Sequence, residues 1–145
     1  MGHIKIWIHL VWTTKNRQPL LTADTRPQIF RHILENARTK GIYIDHINGY
    51  TEHVHCLVSL SSGQTIDKIM MLIKGESSCW INKNNLFRQQ FEWQEEYFAV
   101  SVSESAVDRV RAYIRNQEEH HRIRSFQEEY DEFMQRYGFD RFVSG

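Results

Sequence analysis

The chain has 145 residues, 41% hydrophobic, 12% aromatic and 25% charged, which suits a single domain over residues 1–145 and excludes a disordered chain. Eighteen Lys and Arg residues balance eighteen Asp and Glu residues, so a uniformly basic nucleic-acid binder is excluded too. The balance is uneven: residues 1–91 carry 11 basic and 6 acidic groups (+5) and residues 92–145 carry 7 and 12 (−5), leaving room for a basic face and an acidic end.

In His3–Thr14, Ile4, Ile6, Ile8, Leu10 and Trp12 alternate with Lys5, Trp7, His9 and Val11, a period of two that predicts a first strand. A polar turn, Lys15–Pro19, follows. Asp24 or Thr25 is placed to cap a helix with Pro27 in its first turn. Ile29, Ile33, Leu34 and Ala37 repeat at helical spacing until Lys40-Gly41. Ile42–Tyr50 and His53–Leu60 read as strands joined by the short turn Thr51-Glu52, an antiparallel hairpin. After the Ser61-Ser62-Gly63 loop, Thr65 caps a second helix ending near 82–85. Tyr97–Ser103 is a fourth strand. Ser105 begins a third helix to about His121, with Asp108 at the reciprocal capping position. Phe126–Tyr137 is a last amphipathic helix, stopped by Gly138.

The order β-α-β-β-α-β followed by two helices predicts an α+β, ferredoxin-like antiparallel sheet with helices on one face. Cys56 and Cys79 are too few for a disulfide framework and read as reduced core residues, which suits a cytoplasmic protein. The first strand interrupts any apolar leader, and no run approaches the ~18 apolar residues of a membrane span.

Three constellations could carry chemistry. In His53-Val54-His55 the two imidazoles lie on one strand face about 6.6 Å apart along the chain. They can reach one metal ion, or lie idle on an open sheet face. Tyr113 and Gln117, four apart on a helix, share one face at the edge of the Val107, Val110, Ile114 stripe, with His120 and His121 a turn further. This tyrosine is either a packing residue with its hydroxyl in water or a reactive group. Lys15-Asn16-Arg17 and Lys74-Gly75-Glu76-Ser77-Ser78 could contact phosphates or be solvated surface.

These segments, with His9-Leu10-Val11-Trp12, Trp93-Gln94-Glu95-Glu96-Tyr97 and Tyr113-Ile114-Arg115-Asn116-Gln117, occur in an order that resembles the HUH-type single-tyrosine transposases. These are the single-strand DNA transposases of small bacterial insertion sequences and their REP-associated relatives. The stretch from Glu118 to Phe142 looks like the C-terminal helix of that family's short members. The resemblance implies that His53, His55 and Gln117 hold Mg²⁺ or Mn²⁺. It implies that Tyr113 attacks the scissile phosphate to leave a 5′-phosphotyrosine, with the metal or a neighbouring base such as His120 or His121 assisting the phenol. Lys15, Arg17 and Lys74 would touch the DNA backbone. The partner implied is a single-stranded DNA hairpin at the element's ends. A homodimer is implied as well, with the tyrosine helix of one subunit completing the histidine pair of the other, and apolar residues on both faces of the first strand are in keeping with association.

Tyr97, Tyr50 and Tyr130 are rival nucleophiles. Tyr130 lies in the acidic run 128–132, which would repel phosphate, and only Tyr113 has a glutamine one turn later. Two other readings are a non-catalytic single-stranded nucleic-acid-binding module and a metal phosphodiesterase that uses water. The first would put stacking aromatics on the central strands, where this sequence puts histidines.

Overall fold

The computed structural model describes residues 2–138; the part of the expected C-terminal helix at 139–142 lies outside them. Strands β1 (Ile6–Thr14), β2 (Tyr43–Gly49), β3 (His53–Leu60) and β4 (Trp93–Val102) form one antiparallel sheet in the order β2-β3-β1-β4. With α1 (Arg26–Thr39) and α2 (Ile66–Lys83) this is the predicted ferredoxin-like order. β4 starts four residues earlier than its alternation suggested, because Trp93 packs into the core beside Trp12 and Phe91.

Successive side chains of a strand point to opposite faces, so β1 and β3 each present two surfaces. Ile8, Leu10 and Trp12 of β1 and Val54, Cys56 and Val58 of β3 pack against Ile29, Phe30 and Ile33 of α1 and Ile69, Met70 and Ile73 of α2. On the opposite face Trp7 and Leu57 meet Val107 and Ile114 of α3 (Val107–Arg115). There Val11 also meets Phe126 and Phe133 of α5 (Phe126–Arg136). Apart from Ile6 at its start, which is exposed, the apolar residues on both faces of β1 are covered within the chain, and those covered residues give no argument for association. Cys56 is buried as expected; Cys79 is exposed, since it falls on the outer face of α2.

Among the described residues no helix is long and apolar enough to cross a membrane.

The third predicted helix is broken. A short 3-10 turn, Glu104–Ala106, precedes α3, and Ser105 and Asp108 make no capping box: Ser105 pairs with Ser103, and Asp108 accepts from Arg111 at 2.9 Å. α3 stops at Arg115. Asn48 of β2 donates its side-chain amide to the carbonyls of Ile114 (3.0 Å) and Arg115 (3.1 Å), supplying the partners that a helix end lacks. The chain restarts as α4 (Gln117–Ile123), and α5 follows after Arg124, with Ser125 and Glu128 forming its capping box. The expected single C-terminal helix from Glu118 is therefore two helices.

α3 is tied to the sheet from its outer side. Asp45 is the extra residue of a bulge in β2, where the register shifts between Ile44 and His46. The bulge aims its carboxylate at Arg111, which donates from Nε and Nη2 at 2.8 and 2.9 Å. Arg111 holds the Asp45 carboxyl below its ordinary range, so this contribution to stability is present above the unfolded carboxyl pKa of about 3.9 and is lost as the pH falls through the lower folded value. Asp45→Asn is expected to lower the thermal midpoint at neutral pH, with the difference from wild type shrinking as the pH falls below the unfolded carboxyl value of about 3.9; a difference that stays constant on acidification would refute the assignment.

Candidate active site

The site begins with a tight hairpin. Gly49 and His53 flank the Tyr50–Glu52 turn, and a Cβ on Gly49 would collide with the carbonyl oxygen of His53, so only glycine lets β2 and β3 close here. Closure sets β3 so that His53 and His55 project onto the face covered by α3–α5, both fully buried. Their outward nitrogens are fixed by neighbours: His53 Nδ1 lies 2.7 Å from Glu52 Oε1, and His55 Nδ1 lies 2.9 Å from His9 Nε2. Carboxylate or polar partners behind an imidazole are the usual device for presenting its other nitrogen in one direction.

Those other nitrogens converge. His53 Nε2 lies 2.9 Å from Gln117 Oε1 and 3.5 Å from Glu129 Oε1. His55 Nε2 lies 3.1 Å from the same Glu129 oxygen. The break at Asn116 delivers Gln117 to this point, 0% exposed, and α5 delivers Glu129, 1% exposed. The Tyr113 hydroxyl on α3 donates to Glu129 Oε2, and its ring stands edge-on to His55 at 5.4 Å between centroids. One chain therefore assembles the whole set. The sharing of sites between subunits implied by the resemblance is not needed to complete it.

Two residues escaped the sequence reading. His9 sits on the second face of β1 and is buried against His55. Glu129 was counted within an acidic, phosphate-repelling run. Its signal is its position: Phe126, Glu129, Tyr130 and Phe133 fall on one helical stripe, so the acid lies on the apolar face. Of the rival tyrosines, Tyr97 is held by Asp67 at 2.5 Å, Tyr50 stacks on His121, and Tyr130 packs with Phe98 and beneath Arg17. None of these contacts places a hydroxyl on the histidine pair.

His9, His53, His55, Gln117 and Glu129 are all buried, and burial dominates the electrostatics of the site. Burial pushes His9 down to about 3, helped by His55, and His55 down to about 4 despite its bond to Glu129. Burial alone would raise the Glu129 carboxyl, but the surrounding imidazoles outweigh it and hold the group well below the usual carboxylate range. Burial and then the Glu129 charge push the Tyr113 phenol above its ordinary value.

The donor set fits a divalent ion. Both His53 nitrogens face oxygens that accept, Nδ1 toward Glu52 Oε1 and Nε2 toward Gln117 Oε1 and Glu129 Oε1, so the ring sits among groups that also suit a cation. His53, His55 and Glu129 offer three ligand atoms within 4.8 Å of one another, and Gln117 adds a fourth. Imidazole, carboxylate and amide oxygen together suit Mn²⁺ readily and Mg²⁺ less so.

The other expected residues lie elsewhere. His120 stands beside the Tyr113 ring at 5.2 Å, and His121 stacks under Tyr50. Neither accepts the Tyr113 hydroxyl; Glu129 does. Arg17 is clamped on α5, over Phe126 and Tyr130 and donating to Gln127 Oε1 at 2.6 Å. Lys15 pairs with Glu92 at 3.1 Å, and Lys74 donates to the Glu95 carbonyl at 2.8 Å across a groove that also holds Asp67 and Glu92. A cavity of about 550 Å³ opens on Tyr113 and is lined by Arg109, Arg124 and Arg136 as well as His9 and His120.

Comparison with known proteins bears on this geometry. The family described as "Transposase IS200 like" matches residues 3–117, a span that holds His53, His55, Tyr113 and Gln117 and stops before His120, His121 and Glu129. The ISDra2 transposase TnpA of Deinococcus radiodurans is 24% identical over 115 residues, 75% of this chain and 81% of that protein. Two solved structures share the fold. One is a candidate transposase from Deinococcus radiodurans R1, with TM-score 0.65 and 23% identity over 81% of this chain and 95% of that one. The other is a REP-associated tyrosine transposase bound to a REP hairpin, with TM-score 0.62 and 21% identity over 83% of this chain and 72% of that one.

Glu129→Gln removes the charge facing Tyr113 while keeping the side chain's size. It is expected to bring the Tyr113 pKa down toward the ordinary phenol value, read from phenolate absorbance as the difference between matched proteins with Tyr113 and with Tyr113→Phe. An unchanged titration would show that burial alone raises it.

Proposed function

The chain belongs to the IS200-like transposases, HUH-type enzymes that cleave and transfer DNA strands, and from that premise we propose that it acts on single-stranded DNA through a covalent 5′-phosphotyrosine formed at Tyr113. The observation that supports this most directly is the delivery of Tyr113 and Gln117, from either side of the Asn116 break, onto the buried His53–His55 pair of the same chain. We take residues 1–145 as one transposase domain.

In this reading His53, His55 and Gln117 hold Mg²⁺ or Mn²⁺, with Glu129 completing the set. What the bound ion supplies is neutralisation of the non-bridging oxygens of the scissile phosphate and of the leaving 3′ oxygen. Tyr113 Oη attacks phosphorus, the P–O3′ bond breaks, and the 3′ oxygen leaves to become a free 3′-OH. The bond energy stays in the tyrosyl phosphodiester, so the 3′-OH of a second strand can displace the phenol without a nucleotide cofactor.

The hydroxyl is oriented by Glu129, which takes the place expected of His120 or His121; those two histidines flank the carboxylate from α4. An ordinary phenol ionises near pH 10, and the carboxylate charge makes this one harder to ionise, so a cation on Glu129 favours the attacking phenolate. The Arg-lined cavity beside Tyr113 is the approach for the DNA backbone, with Lys15, Arg17 and Lys74 as more distant phosphate contacts. The partner is a single-stranded hairpin, as in the REP-associated relative, whose structure contains one. The acting unit is a homodimer in which each chain carries its own histidines and tyrosine.

Incubation with hairpin-bearing single-stranded DNA and Mn²⁺ is expected to give a denaturant-stable protein–DNA adduct. Tyr113→Phe should abolish the adduct while leaving hairpin binding within about threefold, and chelation should abolish cleavage by the wild type. Unchanged cleavage by the Phe variant would overturn the tyrosine role and favour a water nucleophile.

A further inference from the structure

We propose that His120, His121 and Glu129 form a second divalent-cation site, of the imidazole–carboxylate kind that takes Mn²⁺ or Zn²⁺, joined through the Glu129 carboxylate to the position at His53 and His55. The proposal rests on hydrogen-bond directions and not on the tyrosine chemistry.

His121 is the informative residue. Its side chain is 2% exposed, and its Nδ1 lies 2.8 Å from the carbonyl oxygen of Arg124. A carbonyl only accepts, so the neutral ring carries its proton on Nδ1 and has a bare lone pair at Nε2. That Nε2 is buried, has no hydrogen-bond partner, and faces Glu129 Oε1 at 3.6 Å. His120 approaches the carboxylate from the other side, its Nε2 buried without a hydrogen-bond partner and 3.1 Å from Glu129 Oε2, although among the described residues no partner on Nδ1 fixes its tautomer. A lone pair turned toward a carboxylate oxygen in a dry site is repulsive unless a cation lies between them.

Among the described residues the ion-pair partners of Glu129 are imidazoles alone: His53, His55, His120 and His121. No described Lys or Arg is ion-paired with this buried carboxylate, so its charge is open to a cation that binds beside it. The ligand atoms of His120, His121 and Glu129 lie within 4.8 Å of one another, as do those of His53, His55 and Glu129. One carboxylate thus stands between two triads, the arrangement by which a carboxylate bridges neighbouring metal ions. Two imidazoles and one carboxylate select first-row transition ions over Mg²⁺ and leave coordination positions open. The Arg-lined cavity reaches His120, which is 21% exposed in its side chain, and gives an ion a route in.

The test is a count of bound ions on the full chain. Metal-stripped wild type is titrated with Mn²⁺, free ion being read by electron paramagnetic resonance and bound ion by calorimetry. Two ions per chain are expected in wild type, one in His120→Ala/His121→Ala, and one in His53→Ala/His55→Ala. Circular dichroism identifies any variant that fails to fold, and His121→Asn then serves in its place, with loss of the weaker ion expected. A single ion in wild type, explained by a protonated His121 paired with Glu129, would overturn the second site. Two ions in both wild type and His120→Ala/His121→Ala would overturn it as well. Loss of an ion in His53→Ala/His55→Ala alone would leave the first position standing while this proposal falls.

Discussion

A sheet face that carries His9, His53 and His55 side by side, all buried, is a constraint that the rest of the molecule has to meet. Imidazoles removed from water cost free energy unless each nitrogen finds a partner, and a strand backbone supplies none to its side chains. The chain beyond β4 supplies them. α3 brings Trp7 and Leu57 their apolar cover, α4 brings Gln117 to His53, and α5 brings Glu129 to both histidines of β3. Glu52 and His9 close the other side of the two rings, so the pair on β3 is satisfied outward and converges inward.

Small backbone devices decide where those groups land. The Gly49 turn sets β3 against β2, and the Asp45 bulge turns a carboxylate to hold Arg111. Asn48, between them on the same strand, terminates α3 and thereby lets Gln117 start a helix of new direction. Arg26, buried beneath Tyr50, donates to the Leu21 carbonyl and to Glu118, which fastens the start of α4 to α1. Arg17 fastens α5 to the end of β1 by lying over two of its rings. Its strained position, with positive φ at both Asn16 and Arg17, serves packing here and leaves less of the guanidinium for phosphate.

Much of this was legible in the residues. Period-two and period-3.6 patterns placed every strand and most helices, and the Thr65 cap and the β2–β3 hairpin appear where the sequence puts them. The start of the third helix was misplaced because Ser105 and Asp108 have the spacing of a capping box yet find closer partners in Ser103 and Arg111. Nothing local marks Asn116 as a break, since the side chain that stops α3 belongs to a strand 66 residues earlier. Charge counting likewise misplaced Glu129, because a run of acids says nothing about which of them faces inward.

The net charge of zero described a chain whose basic and acidic ends fold onto each other: Glu118 meets Arg26, and Gln127 of the acidic segment meets Arg17. By itself the sequence determined the order of elements, the shared face of the two histidines, and the one-turn spacing of Tyr113 and Gln117, because these depend only on strand and helix periods. Tertiary structure decided that one chain completes the set, that a carboxylate from α5 enters it, and that His120 and His121 turn unpartnered nitrogens toward that carboxylate. Those outcomes depend on how helices cross a sheet and where they stop. The contacts that settle both come from residues far apart in the chain.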